Sequence, residues 1–246
     1  MINNFLVNRV LSVTGIDSED NVLYRLVQPQ NISLSTSSET ADVVDNMGSV
    51  IATFDRSKAA ELSGENAIFD LSLLAVQHGT KVDADVAEVP CFETIVITDD
   101  HKANGVTLKH TPIDDATVKV YALNADSSLG EIMNVTVSAG AFTLPSDVAA
   151  EQILVSYDYK PTAASMVTVS ADKFATAHKI VVEVLGCDVC NKEELIYAYL
   201  IFPSGKMSSD TELSFSTDLV HSFTVNAQVE YCSPDKKLFM LIIPEE

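Results

Sequence analysis

The sequence has no tryptophan, only nine glycines, and 15 Lys and Arg against 35 Asp and Glu. The shortage of cations leaves a formal charge of −20. So acidic a surface repels a phosphate backbone, and no basic stripe or Lys/Arg-rich tail relieves it, which argues against ordinary nucleic-acid binding. Acidic charge keeps a β-rich chain soluble; alternatively, it lines a surface past which a polyanion slides without sticking. No apolar run is long enough to cross a bilayer. Met1-Ile2-Asn3-Asn4-Phe5 lacks the basic region, long apolar run and cleavage site of a signal peptide. The expectation is a soluble protein made in the cytoplasm, its thiols reduced.

Catalytic motifs are missing too. There is no GxSxG, P-loop or GxGxxG, and the glycines nowhere cluster as a phosphate cradle. His78, His101, His110, His178 and His221 show neither HxH nor HExxH spacing, and each reads as a surface or structural histidine, with His221 in a turn. Asp99-Asp100-His101 reads as a solvated turn rather than a metal corner. Cys187-Asp188-Val189-Cys190 is the most tempting motif. A redox CxxC needs a helix after it to stabilise the thiolate, and Leu195 to Phe202 reads as a strand. A structural zinc site needs four ligands, usually from two such pairs. Cys91 and Cys232 are distant in sequence, so the pair reads as incidental to a hairpin. Nothing in the residues calls for an enzyme, a cofactor or a metal.

What is abundant is Val, Ile, Thr and Ser, in short runs bounded by turn residues, and 47% of the chain is apolar. That composition favours strands and supports a core. Phe5–Thr14 and Val22–Val27 read as strands around the turn Asp17–Asn21, and Asn31–Ser35 alternates with period 2. Ser37–Ser49 is polar with few anchors: a long exposed loop, or the arm of an extended hairpin. Val50–Phe54 resumes a strand. One convincing helix follows, Ala67–Gln77, with Ile68, Leu71, Leu74 and Ala75 on one face, Asn66 as cap and Gly79 as terminator.

From Phe92 to about Ser165 the strands shorten and turns recur about every ten residues, the pattern of a small β-sandwich. Val106–His110, Thr117–Leu123, Ile132–Val137, Phe142–Leu144 and Ile153–Tyr159 are its candidate strands. The last third returns to longer strands. Lys179–Leu185 pairs with Leu195–Phe202, Pro203-Ser204-Gly205 is a turn, and Glu212–Phe215, Phe223–Glu230 and Leu238–Ile243 complete a sheet.

Two stretches go beyond composition. One is Ile51-Ala52-Thr53-Phe54-Asp55-Arg56-Ser57-Lys58, leading into the helix. The other is Tyr197 to Ser214, with Phe202-Pro203-Ser204-Gly205-Lys206-Met207-Ser208 inside it, continuing to Phe223-Thr224-Val225-Asn226-Ala227 and Leu238–Pro244. Together they resemble the major tail protein (tail tube protein) of long-tailed bacteriophages over about residues 1–90 and 166–246. The resemblance implies a mainly-β fold: a tail-tube-type β-sandwich with one flanking α-helix, interrupted by an inserted Ig-like β-sandwich at 91–165. It implies a structural virion protein of the tail. Six copies would form a ring whose sheets join edge to edge, and rings would stack into a tube through loops and terminal arms.

On that implication Thr40, Asp42, Val43, Val44 and Met47 of the loop Thr40–Ser49 reach the next ring, and Asp55, Arg56 and Lys58 sit near its base. Met1–Asn4 would also lie at ring contacts. The partners implied are further copies of the chain, the tape measure and the tail terminator. Genomic DNA would pass through an acidic lumen during ejection without specific binding, and no membrane is involved. A capsid decoration or head-fibre protein is the alternative. A carbohydrate-binding module would have to use Tyr121, Tyr157 and Tyr159 as its platform, since tryptophan is absent.

Overall fold

A computed structural model describes residues 4–84, 87–213, 220–230 and 234–244. The fold is mainly β, with antiparallel sheets and one main helix, consistent with a β-sandwich. The chain divides into two compact units, 1–82 with 167–246, and 83–166.

The first unit is built on one large sheet. Its strands are β1 (Phe5–Ile16), β2 (Val22–Leu26), β3 (Pro29–Val44), β4 (Val50–Asn66), β12 (Ala177–Asp188), β13 (Leu195–Met207), β14 (His221–Ala227) and β15 (Met240–Ile242). The order is β2-β1-β12-β13-β14-β4-β3, with β15 on β13. The sheet folds over so that β1 meets β3. Apolar residues from distant strands then share one core: Val13, Leu26, Leu62, Ile180, Phe202 and Val225 are all fully buried. Burying each such side chain contributes roughly 1.5–3 kcal/mol.

The helix α1 (Leu71–Gln77) closes this core through Leu73. It is shorter than the apolar stripe predicts and is capped by Asp70, whose carboxylate accepts from the Leu73 N–H at 2.9 Å. Asn66 is not the cap. It ends β4, and its side chain accepts from the Gln28 N–H and donates to the Ile68 carbonyl. The helix stops where expected. The Thr80 N–H bonds the Ala75 carbonyl and the Gly79 N–H the Val76 carbonyl, with Gly79 at φ +65°, a Schellman closure.

Two further expectations for this unit are corrected. Pro203-Ser204-Gly205 is no turn but lies within β13. Pro203 falls between the residues that pair with β15 (199–201) and those that pair with β14 (205–207), where no ladder needs its missing N–H. His221 is not in a turn but opens β14, fully buried. Glu212–Phe215 lies partly outside the described residues, as do Met1–Asn3 and Cys232.

The second unit packs two sheets on each other. One is β5 (Val89–Val96), β11 (Gln152–Tyr159), β7 (Lys119–Leu123) and β8 (Leu129–Met133). The other is β6 (Val106–Thr107), β10 (Ala141–Phe142) and β9 (Val137–Ser138). Val106 and Phe142 from the small sheet meet Val120, Ile153, Val155 and Tyr157 from the large one. The expected strand Ile132–Val137 is in fact split: its ends belong to different sheets, and Asn134–Thr136 crosses between the layers. Asp99-Asp100-His101 is not a turn but opens the helix α2 (Asp99–Asn104), capped reciprocally by Thr98 and His101.

Candidate assembly interface

β3 and β4 pair along their whole length, and their outer halves leave the sheet. β14 pairs β4 only up to Glu61. Residues 36–44 and 50–60 therefore form a free two-stranded ribbon, about 30 Å long at the usual rise per residue. It is closed by the turn Asp45–Ser49. There the Asp45 carboxylate accepts from the Met47 and Ser49 N–H groups, both at 2.8 Å, and Gly48 takes φ +85°.

This corrects the reading of Thr40–Ser49 as a loop: Thr40–Val44 are strand, and only the turn is irregular. The extended-hairpin alternative is the one observed. Thr40 lies opposite Asp55, Asp42 opposite Thr53, and Val43 opposite Ala52, with the Thr53 hydroxyl donating to Asp42 at 2.7 Å. Register shifts leave Ile51 and Arg56 without opposite residues, as β-bulges that add twist.

Both faces of the ribbon are open to solvent. Nearly every residue from Ser33 to Val44 and from Val50 to Ala59 is exposed. Met47 is 87% exposed and Phe54 61%, with Val43, Val44, Val50 and Ile51 exposed beside them. An isolated hairpin is marginally stable in water, and clustered exposed apolar residues mark contact surfaces. Val50, Ile51 and Phe54 were missed as site residues because an apolar run after a polar segment reads as a return to the core. Arg56 and Lys58 are exposed and make no ion pair among the described residues.

Strand edges are open as well. Among the described residues β3 has no hydrogen-bonded strand on its outer side, and β1 pairs β2 only over Val13–Ile16, leaving Phe5–Ser12 open on that side. Leu6 and Val7 are exposed there. Such edges are templates for pairing with another chain.

The remaining candidates play other parts. Cys187 is the last residue but one of β12, Cys190 is exposed in the connection to β13, and a strand follows. No group of three or more His, Cys, Asp or Glu is placed to hold a metal among the described residues. Tyr157 is buried, its hydroxyl donating to Glu93 and accepting from the His110 N–H, and burial with Glu93 beside it pushes its pKa up. Tyr159 stacks on His110 with ring centroids 4.0 Å apart. Neither offers a free aromatic platform.

No curated protein matches the chain. A family model does: the YomU/Tube protein family, over residues 5–236, a span that includes the second unit. With a match of that extent over a mainly-β fold with open edges and an exposed ribbon, the chain belongs to the YomU/Tube protein family, a phage tube family, and its role is structural.

Proposed function

We propose that the protein is a major tail tube subunit. Six copies close into a ring through their open strand edges, and rings stack into a tube whose acidic lumen conducts the phage genome. One observation carries the stacking step: the β3–β4 ribbon, some 30 Å long at the usual rise per residue, exposes Met47 at its tip and Phe54 and further apolar residues along it, and no third strand supports it among the described residues. Such a ribbon gains order and burial by lying on the next ring. Thr40, Asp42, Val43, Val44 and Met47 make that contact. Arg56 and Lys58, which make no ion pair among the described residues of a chain of charge −20, meet carboxylates of the neighbour, with Asp55 beside them.

The net negative charge supports passage of DNA without adhesion. The unit at 83–166 is carried as an inserted Ig-like domain on the outside of the tube. Tape measure and tail terminator are the further partners, and the protein resides in the virion tail after synthesis in the host cytoplasm. Because Thr40–Val44 pair with Val50–Asp55, the clean test removes both arms, residues 40–55, and joins them by a short turn. The shortened protein is expected to fold with unchanged thermal stability and to form rings that do not stack. Tubes of ordinary length from this variant would sink the stacking role.

A further inference from the structure

The four-stranded sheet of the second unit has an apolar face turned to solvent as well as one turned to the core. The register fixes which residues share it. Thr94, Leu154, Tyr121 and Ile132 form one row across the sheet, and Val96, Gln152, Leu123 and Leu129 form the next. Phe92 lies in the row beyond Thr94 and is 66% exposed; Val96, Leu129 and Ile132 are also exposed. On β5, β11 and β7 the charges on this face, Lys119 and Asp158, lie at one end. The rows between these carry Ile95, Ile153 and Val155 into the core. The opposite sheet shows the ordinary arrangement: Phe142 and Val106 point inward, and Thr107, Ser138 and Ala141 lie on the outer face. A sandwich exposed to water on both sides should have two polar outer faces. This one has one.

We propose that the outer face of β5, β11 and β7 is a self-interface, packing on a second copy of this chain in the assembled tube. The inference rests on the reading that the chain assembles. Charge favours that occupant. Two chains of −20 repel wherever carboxylates meet, so copies approach most easily at an uncharged patch, and this face offers one. Glu131 on β8, with Asp147 and Glu151 just before β11, lines an open concavity of about 790 Å³ beside this face, so the contact is made away from that acidic end. Size points the same way. Three strands at normal spacing and five or six residues along each give a footprint of about 250 Å². That is well short of the roughly 800 Å² per partner that holds a stable dimer. The face therefore suits a contact made between copies already held at high effective concentration by other interfaces.

Cysteine accessibility tests this in the full chain. Thr94→Cys and Val96→Cys sit on the face, and Thr107→Cys on the opposite sheet serves as the control. All three positions are exposed, so folding is not at issue. Maleimide labelling is read site by site by mass spectrometry, in unassembled protein and in tubes. Labelling at 94 and 96 is expected to slow about tenfold or more on assembly, as at a packed interface core, while 107 is unchanged. If tubes form and all three positions label as fast as in the free chain, the self-interface is wrong while the tube reading stands. If no tubes form under any condition, both fail.

Discussion

His221 and Gln77 form a fully buried polar pair that ties the helix α1 to the strand β14. The Gln77 amide donates to the Ser222 carbonyl at 3.1 Å, which fixes its orientation and leaves its oxygen 2.9 Å from His221 Nε2. That oxygen only accepts, so Nε2 carries the proton. Nδ1 has no partner among the described residues, and the ring stacks on Phe69 at 5.3 Å. Replacing Gln77 by Leu keeps the volume but strands the Nε2–H. We expect a loss of about 1–3 kcal/mol, the cost of an unsatisfied buried donor, measured by denaturant unfolding. An unchanged midpoint would mean the pair is not formed in solution.

Acid should weaken the fold through two histidines. Burial holds both His178 and His221 below the usual imidazole value. His178 Nδ1 donates to the Thr176 carbonyl, so its Nε2 accepts from the Tyr24 hydroxyl at 3.2 Å. His221 is lowered by burial first, with His78 lowering it further and Asp70 opposing. In the unfolded chain each returns to about 6.5, so the unfolded state binds more protons below that pH and stability rises with pH there. The contribution is complete above about pH 6.5 and is lost as pH falls toward the depressed folded values. Denaturation midpoints should be level from about pH 7 to 8 and fall from 6.5 toward 5; a double His178→Gln, His221→Gln variant should flatten that slope.

Gly79 is where the helix must stop. At φ +65° a side chain is already strained, and an added Cβ would fall 2.0 Å from the Phe174 carbonyl oxygen. Gly79→Ala should cost more than the roughly 1 kcal/mol of an ordinary helix glycine change, since the backbone around Phe174 must shift. Thermal melting would show it. Gly48 in the ribbon turn, at φ +85°, has nothing within 4 Å of its Cβ position, so Gly48→Ala should carry only the backbone strain, about 1–2 kcal/mol, with no steric clash added.

Met47→Ser and Phe54→Ser separate folding from assembly. Both side chains stand in solvent, so the double variant should match the parent within about 0.5 kcal/mol. Tube length, measured by electron microscopy, should fall sharply. Full-length tubes would remove the ribbon's apolar residues from the stacking contact.

The elements that bury one face were legible in the sequence. The β12–β13 hairpin, β11 and the Gly79 stop all carry patterns that burial or a positive φ imposes. The ribbon was not, for the converse reason. Period-2 alternation arises when one face is dry, and residues 36–44 are wet on both. That left Thr40–Val44 looking like loop and Phe54 looking like core. Helix α2 hid behind its own cap: Thr98 with Asp99 and Asp100 in the first turn are N-terminal signals, but six residues show no apolar period. The apolar outer face of the second unit depends on the β5–β11–β7 register, which no local pattern shows.

Imaging the purified full-length protein by electron microscopy across a concentration series, alone and co-expressed with tail proteins, tests self-assembly most directly. Six-fold rings that stack into tubes are expected. Protein that stays monomeric under every one of these conditions would contradict the tube subunit reading.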